Sequence, residues 1–424
     1  MASPRKHSQK QDRRAAIVFC TVVAVLLLAL AAALIFMLAH PAGEDGQAAP
    51  PTPPATATAV AAPMASATPS PTPGPAFTPR KATIRAVGDL MMHIEQLEAA
   101  ARPDGSYDFH PQYALIAGSL AKADYTIATL ETTVGLYSDE PYSGYPLFNA
   151  PPEMLDAVRD AGVDFLTLAN NHILDRYYDG LMITLDNVEA AGLAYGGANR
   201  SQAQKDAPNI VEVNGIKLGM LCYTQSTNGM EDYSDPRAVE FGVNYTAGAN
   251  YAADVQKLRD AGADVVIAMM HWGREYRRSA NSAQERLGQA LLNAGVDVIL
   301  GSHPHVVQPA GMRRTTLADG TTHDTFLVYS MGNFNSSMVD EYANAGIIVE
   351  FTIVEREEGG FAIEDIGFVP TYCWERLGVF TTIPALPNYE TRPDGMTEAE
   401  HQRLRKSVDD VLALMGGRLA VLET

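Results

Sequence analysis

Short apolar runs recur along this chain, and several are entered through a turn of the form Ala-Gly-x-Asp. Residues 160–164 lead into FLTLA, residues 260–264 into VVIAMM, and residues 293–297 into VILG. Two weaker copies stand before YTIATL and before Gly88. A glycine after a helix supplies a left-handed cap, and an unbroken apolar run bounded by turns is typical of a strand buried on both faces. The pattern therefore predicts helices that alternate with buried strands.

Polar side chains that can bind a metal stand at the ends of these runs. The set is Asp89, Glu131, Asn171, His172, His271, His303 and His305. Ligands gather beyond the carboxyl ends of parallel strands, so we expect these side chains to meet at one rim. Imidazole suits Zn or Fe, and carboxylates also admit Mn, so the set predicts a site for one or two divalent metal ions. For any one histidine alone, a satisfied polar group in a loop is the competing interpretation.

The rest of the folded region indicates sheets that are not wholly parallel. An Asn-Gly pair within residues 211–218 predicts a hairpin, and residues 346–355 and 361–370 predict a second antiparallel pair. We therefore expect residues 81–384 to form one α/β domain, a four-layer α/β/β/α sandwich of two mixed sheets with helices outside. Capping-box patterns at residues 282–285 and 397–400 predict helices ending at Asn293 and Met415. The second of these helices lies in a C-terminal extension, residues 385–424.

The N-terminal region has a different composition. Residues 15–39 form an uncharged apolar run, long enough to cross a hydrocarbon core of about 30 Å. Five basic residues in the tail 1–14 predict a cytoplasmic N-terminus, a single-pass anchor in the cell membrane and an extracytoplasmic folded domain. A cleaved signal peptide is the alternative, although its apolar core would be shorter, about 7–15 residues. Residues 40–80 are rich in Pro, Ala and Thr, which predicts an extended spacer.

The net charge limits the expected binding partners, and the cysteine content limits the expected disulfides. A net charge of −19 argues against nucleic acid as a partner of the folded domain. It does not exclude an anionic substrate, because a bound metal ion can reverse the local charge. Cys20 lies in the apolar run, and Cys222 and Cys373 are far apart, so no disulfide framework is expected. A single bridge between those two is left open.

Weaker candidates surround the predicted rim. Arg274, followed by two more arginines, can hold a carboxylate or phosphate, or can belong to a solvated basic loop. Glu275 can orient a histidine ligand, and Asn333 ends another apolar run, so with Arg274 they are the candidate substrate-binding residues. Asp175 either orients His172 or caps the next helix. His93 has i,i+4 spacing from Asp89, so it either shares a helical face with that residue or is a loop histidine.

Six motifs in this order carry a family resemblance. They are GDLMM at 88–92, LE at 130–131, NNHILD at 170–175, HWGREY at 271–276, GSHPHV at 301–306 and MGNF at 331–334. In these motifs the chain resembles the CapA-type poly-γ-glutamate capsule biosynthesis family, itself similar to the calcineurin-like metallophosphatase superfamily. The N-terminal anchor also agrees with that family.

The resemblance implies a role for each residue. Asp89 and His305 would bind one metal ion, Glu131 would bridge, and Asn171, His271 and His303 would bind the second. His172 would donate a proton to a leaving group. Metallophosphatases usually carry Asp-x-His at the first strand, whereas Met91 stands at that third position here, so one metal position is expected to be weak or absent.

Three functions are compatible with these features. The preferred one is a membrane-anchored protein acting in synthesis, export or attachment of an anionic polymer such as poly-γ-glutamate. Other membrane subunits of capsule synthesis would then be partners, and a metal-dependent hydrolytic or transfer step is open. The second is an extracytoplasmic metallophosphoesterase that acts on a phosphate ester. The third is a scaffold of a membrane assembly without catalysis.

Overall fold

A computed structural model describes residues 77–135 and 141–422. The strands are β1 (Lys81–Leu90), β2 (Tyr125–Leu130), β3 (Phe165–Thr167), β4 (Ala194–Gly196), β5 (Ile210–Val213), β6 (Ile216–Thr224), β7 (Val265–His271), β8 (Val298–Ser302), β9 (Ala310–Thr316), β10 (Thr322–Val328), β11 (Asn333–Asn335), β12 (Ala345–Glu355), β13 (Phe361–Arg376), β14 (Val379–Pro384) and β15 (Ala420–Val421). The α-helices are α1 (Ile94–Ala100), α2 (His110–Tyr113), α3 (Ala117–Leu120), α4 (Glu153–Asp160), α5 (Tyr177–Ala190), α6 (Gln202–Asp206), α7 (Tyr251–Asp260), α8 (Ser282–Ala294), α9 (Pro387–Glu390) and α10 (Glu398–Met415).

The strands form two mixed sheets. The first has the order β14-β13-β12-β1-β2-β3-β4, with β11 paired to β1 and β15 paired to β13. The second has the order β5-β6-β7-β8-β10-β9. The runs β1-β2-β3-β4 and β6-β7-β8 are parallel, whereas β5-β6, β1-β12 and β12-β13 are antiparallel. Both predicted hairpins are therefore confirmed, and so is the α/β fold with mixed sheets.

The two sheets pack face to face around one apolar core. Ile84 and Phe165 of the first sheet share this core with Leu218 and Ile267 of the second. A second core lies between the first sheet and helices α1 to α5, and a third lies between the second sheet and helices α7 and α8. Helix, sheet, sheet and helix thus follow one another as layers.

The aspartate of the recurring turn joins neighbouring strands. Asp164 accepts a hydrogen bond from the Thr126 N–H at 2.8 Å, and its own N–H donates to the Thr126 carbonyl at 2.9 Å. Asp124, Asp264 and Asp297 make the same pair of bonds to Thr83, Lys217 and Val266. Each aspartate lies just before its own strand and binds near the start of the adjacent strand. The repeated turn therefore sets the register of the parallel strands at the edge opposite the predicted rim.

Two helix starts test the capping predictions. Thr397 caps α10 in a capping box with Glu400, as predicted. The predicted box at residues 282–285 is wrong, because Asn281 is the N-cap and Gln284 its partner. Asn281 takes this place because its carboxamide reaches the N–H groups of residues 283 and 284.

Two further expectations concern the cysteines and the N-terminal region. Cys222 and Cys373 are both free and buried, so the bridge left open between them is not formed. Within the described ranges, no helix combines the length and the apolar character needed to cross a bilayer. The predicted tail at 1–14, the anchor at 15–39 and most of the spacer at 40–80 lie outside those ranges.

Candidate metal centre

Strand ends from both sheets meet at one rim. Asp89 belongs to β1, Glu131 follows β2, Asn171 follows β3, His271 ends β7, and His303 and His305 follow β8. Donor atoms of Glu131, His271 and His303 all lie within 4.8 Å of one another, as do those of Asp89, Glu131 and His305. The structure thus brings together all six side chains that the sequence predicts as ligands.

One half of the cluster is centred on His271. Its Nε2 lies 2.6 Å from Asn171 Oδ1, 3.2 Å from His303 Nδ1 and 3.6 Å from Glu131 Oε1. The opposite ring nitrogen, Nδ1, is 3.0 Å from Ser302 Oγ. Ser302 therefore fixes the ring so that Nε2 faces the other donors, as supporting residues do in metal sites.

The other half is centred on His305. Its Nδ1 lies 3.1 Å from Asn333 Oδ1 and 3.5 Å from Asp89 Oδ2, and its Nε2 lies 3.8 Å from Glu131 Oε1. The Asp89 carboxylate also accepts a hydrogen bond from the His303 N–H at 3.2 Å. Glu131 therefore stands between the two halves.

Tight backbone packing holds these ends in place. A Cβ atom on Gly88 would lie 1.7 Å from the Gly332 carbonyl oxygen, and one on Gly301 would lie 2.0 Å from that of Tyr329. Only glycine allows the chain segments to approach so closely. His303 and His305 have positive φ angles of 94° and 59°, which are uncommon outside glycine and cluster at functional sites.

Burial governs the charges of the cluster. Burial, together with the nearby Asp89, raises the pKa of Glu131 well above its usual value. Burial alone would also raise the pKa of Asp89, but His305 and His271 lower it. Burial lowers the pKa of His271 to about 3, whereas for His305 the charges of Glu131 and Asp89 outweigh burial and raise the pKa to about 9. Two carboxyl groups thus share a dry space with His271, which resists protonation, and with His305, which favours it.

The donor set fits a divalent cation. Asp89 Oδ1 and both carboxylate oxygens of Glu131 are buried and have no hydrogen-bond partner among the described residues. Buried polar atoms are normally satisfied, and an unsatisfied carboxylate is costly. A cation placed among these oxygens and the imidazole nitrogens would satisfy them. Mixed oxygen and nitrogen donors suit Mn, Zn or Fe.

His172 lies beside the cluster in a defined orientation. Its Nδ1 is 2.8 Å from Asp175 Oδ2, which also accepts the Phe148 N–H at 2.8 Å. The Phe148 ring meets the His172 ring edge to face at 4.7 Å between centroids. Burial alone would lower the pKa of His172, but Asp175 raises it above its ordinary value. Asp175 therefore orients His172, and it does not cap α5, whose N-cap is Arg176.

The weaker candidates have varied surroundings. Glu275 is exposed, and one of its oxygens lies within 4.8 Å of donor atoms of His303 and His305. Asn333 is buried and also donates to the Ala343 carbonyl at 2.8 Å, so it supports His305 rather than facing an open pocket. Arg274 is exposed on the loop after β7 and stays a predicted substrate contact. Of the two alternatives for His93, the helical face shared with Asp89 is excluded, because β1 extends to Leu90 and His93 is the N-cap of α1.

Several residues of the site were not predicted from the sequence. Asn170 accepts the His172 N–H at 2.9 Å, and its Nδ2 donates to the Leu130 carbonyl at 2.6 Å, which joins the ends of β2 and β3. Ser302 supports His271, and Phe148 supports His172. Asn170 and Ser302 lie next to predicted ligands, which is the one signal that could have identified them. Phe148 is remote in sequence and offers none.

Comparisons with known proteins place this site in context. A family model described as Bacterial capsule synthesis protein PGA_cap matches residues 83–338. The Capsule biosynthesis protein CapA of Bacillus anthracis is 29% identical over 259 residues, which are 60% of this chain and 59% of that protein. The PGA biosynthesis protein CapA of Bacillus subtilis is 24% identical over 290 residues, which are 66% of this chain and 70% of that protein. The match thus spans less than two thirds of the Bacillus anthracis protein.

The chain is also similar to solved structures of other proteins. The calcineurin-like phosphoesterase YfkN of Bacillus subtilis has a TM-score of 0.41 and 14% identity, over 79% of this chain and 99% of that one. The NAD nucleotidase NadN of Haemophilus influenzae has a TM-score of 0.41 and 11% identity, over 81% of this chain and 64% of that one.

Proposed function

This chain belongs to the bacterial capsule synthesis protein family PGA_cap, and we propose that it handles an anionic polymer such as poly-γ-glutamate at a divalent-metal centre. The relatives with the names CapA are named for capsule biosynthesis and PGA biosynthesis. The apolar run at 15–39 would anchor the protein in the cell membrane and hold the folded domain outside the cytoplasm. Synthesis, export and attachment of the polymer are all compatible with that location, and other membrane subunits would be its partners.

The observation that carries this proposal is the buried cluster with its unpartnered carboxylate oxygens. Asp89, Glu131 and His305 would hold one ion, and Asn171, His271 and His303 would complete a second position next to it. A bound divalent ion would supply Lewis-acid stabilisation of an anionic group on the substrate. Met91 contributes no donor comparable to histidine, so we expect one of the two positions to bind its ion more weakly.

The residues around the cluster would position the substrate and move a proton. His172 is held through Nδ1 by Asp175, which leaves Nε2 as the nitrogen able to give a proton to a leaving group. The Phe148 ring packs edge to face against the His172 ring and helps to fix its orientation. Arg274 and Glu275 stand on the exposed loop beside the cluster, where Arg274 could hold a carboxylate.

This function is tested by comparing the turnover of γ-glutamyl amides with the turnover of simple phosphate esters. The full-length protein in detergent would be assayed with Mn²⁺ or Zn²⁺ and with excess EDTA. Metal-dependent cleavage or transfer of γ-glutamyl amides, lost in His172→Ala and kept in the exposed His110→Ala, is the expected result. A wild type that binds no metal would contradict the proposal and favour the scaffold without catalysis.

A second candidate is an extracytoplasmic metallophosphoesterase. The oriented pair of His172 and Asp175 beside the cluster favours it, because a leaving alkoxide also needs a proton. Metal-dependent turnover of phosphate esters without turnover of γ-glutamyl amides would select this candidate.

A further inference from the structure

A two-part cavity opens beside β4, the edge strand of the first sheet, and β6 of the second sheet. Its two adjoining hollows have volumes of about 350 and 510 Å³, within the range of small-molecule pockets. Both are lined by Lys205, Tyr223, Asn244, Asp254 and Lys257, and we refer to the pair as the lysine cavity. It lies between β4, β6 and helices α6 and α7, outside the cluster of predicted metal ligands.

The ammonium groups of Lys205 and Lys257 have N–H donors that no acceptor among the described residues uses. Lys205 Nζ donates to the Glu240 carbonyl at 2.8 Å, which uses one of its three N–H groups. Lys257 Nζ is 3.7 Å from Asp254 Oδ1, beyond hydrogen-bond distance. Burial lowers the pKa of Lys205, so its charge is partly desolvated and an adjacent anion would stabilise it. Both lysines line the same two hollows, in a chain with 31 basic and 50 acidic residues.

The carboxylates that line the cavity are already engaged. Asp254 accepts the Tyr223 hydroxyl at 2.6 Å in addition to its contact with Lys257. Asp206 accepts the Gln202 amide at 2.9 Å, and Glu231 accepts the Thr227 hydroxyl. Each of these carboxylates thus accepts a hydrogen bond from the protein, whereas Lys205 and Lys257 keep N–H groups that donate no hydrogen bond to the part of the protein that the structure describes.

Two carboxamides add neutral hydrogen-bonding groups. Asn209 Nδ2 donates to the Tyr195 carbonyl at 2.9 Å, and Asn244 Oδ1 accepts from Asn199 at 3.0 Å. Within the described residues, the acceptor of Asn209 and the donor of Asn244 have no protein partner. One free acceptor and one free donor complement a secondary amide, which offers one N–H and one C=O.

Gln225 lies between the lysine cavity and the backbone of His271. Gln225 lines the larger hollow, its N–H donates to the His271 carbonyl at 3.1 Å, and its Oε1 accepts the Gly273 N–H at 2.7 Å. The larger hollow therefore adjoins the end of β7, which carries His271.

We propose that the lysine cavity binds a γ-glutamyl unit, with its carboxylate at Lys205 and Lys257 and its amide at Asn209 and Asn244. This inference rests on the proposed function, because it assigns a subsite for the same polymer. The cavity would hold a segment of the chain while a neighbouring segment reaches the metal centre.

Binding of a γ-linked glutamate pentamer tests the proposal. The full-length protein in detergent would be titrated calorimetrically in excess EDTA, so that the cluster holds no ion. Lys205→Gln/Lys257→Gln should raise the Kd about tenfold, and Lys257→Gln alone should raise it by a smaller factor. The single variant guards against misfolding, because Lys257 donates no hydrogen bond to the protein. The matched control Lys122→Gln/Lys217→Gln removes two exposed lysines and should leave the Kd unchanged.

The other outcomes separate a failure of this assignment from a failure of the proposed function. Equal affinity of the cavity and control variants would place the pentamer elsewhere, and inorganic phosphate that competes as well as the pentamer would exclude selectivity for a glutamyl unit. A wild type that binds metal but no pentamer overturns this inference alone. A wild type that binds the pentamer but never a metal overturns the metal function and leaves the cavity standing.

Discussion

Replacing Glu131 with glutamine should stabilise the protein relative to the wild type when no metal is bound. It should destabilise the protein relative to the wild type when a metal is added. Glu131 is fully buried between the two halves of the cluster, and neither carboxylate oxygen has a hydrogen-bond partner among the described residues. A buried unsatisfied group costs about 1–3 kcal/mol, more when it is charged. Because burial and Asp89 raise the pKa of Glu131, folding without metal requires this group either to take up a proton or to stay charged beside Asp89, and glutamine keeps the shape without that cost. Without metal, we therefore expect Glu131→Gln to be about 1–2 kcal/mol more stable than the wild type.

A bound ion should reverse this order. At a concentration of about 100 times its Kd, an ion that binds only the folded state adds about 2.7 kcal/mol, or about 5 °C in Tm for a domain of this size. The wild type should gain this stabilisation, whereas Glu131→Gln lacks the central carboxylate and should gain little of it.

Thermal unfolding followed by circular dichroism measures both values. Wild type, Glu131→Gln and the exposed control Glu358→Gln would be compared in excess EDTA and in excess Mn²⁺ or Zn²⁺. The control should behave as the wild type in both. Equal destabilisation of Glu131→Gln with and without metal would refute the reasoning, because Glu131 would then be a structural residue.

Three further predictions concern the scaffold. Asp297→Ala removes a carboxylate oxygen that accepts two hydrogen bonds at 2.6 Å, and it should lower the free energy of unfolding by about 2–3 kcal/mol in urea titrations. A loss below about 0.5 kcal/mol would contradict the role of the turn aspartates. Gly88→Ala places a methyl group against a carbonyl and should abolish metal-induced stabilisation although no ligand is changed, whereas Gly118→Ala, which meets nothing within 4 Å, should keep it. The hydrogen bonds to Asp108 and Asp160 raise the pKa of His110, so their contribution is complete below about pH 6.5 and is lost as the pH rises through the raised value. The Tm difference between wild type and His110→Gln should therefore shrink from about pH 6 to pH 8, and a growing difference would contradict this sign.

Local patterns predicted much of this fold, and long-range partners limited the rest. The apolar runs and their cap glycines located the strands, and the residues after those runs located the cluster, because parallel strands end at a common edge. The function of the turn aspartates was not predicted, since Asp297 binds Val266 across 31 residues. The two alternatives for His93 could not be separated from the sequence, because spacing alone cannot show where β1 ends. The lysine cavity could not be predicted from the sequence, because its wall combines strands of two sheets with helices α6 and α7.

The metal content of the full-length protein tests the central claim most directly. Protein loaded with Mn²⁺ or Zn²⁺ and then dialysed would be analysed by mass spectrometry for ions per chain. The wild type should retain at least one ion, and Asp89→Asn/His305→Gln should retain less while unfolding at a similar temperature in EDTA. A wild type without bound metal, or a variant that keeps the full content, would contradict the claim.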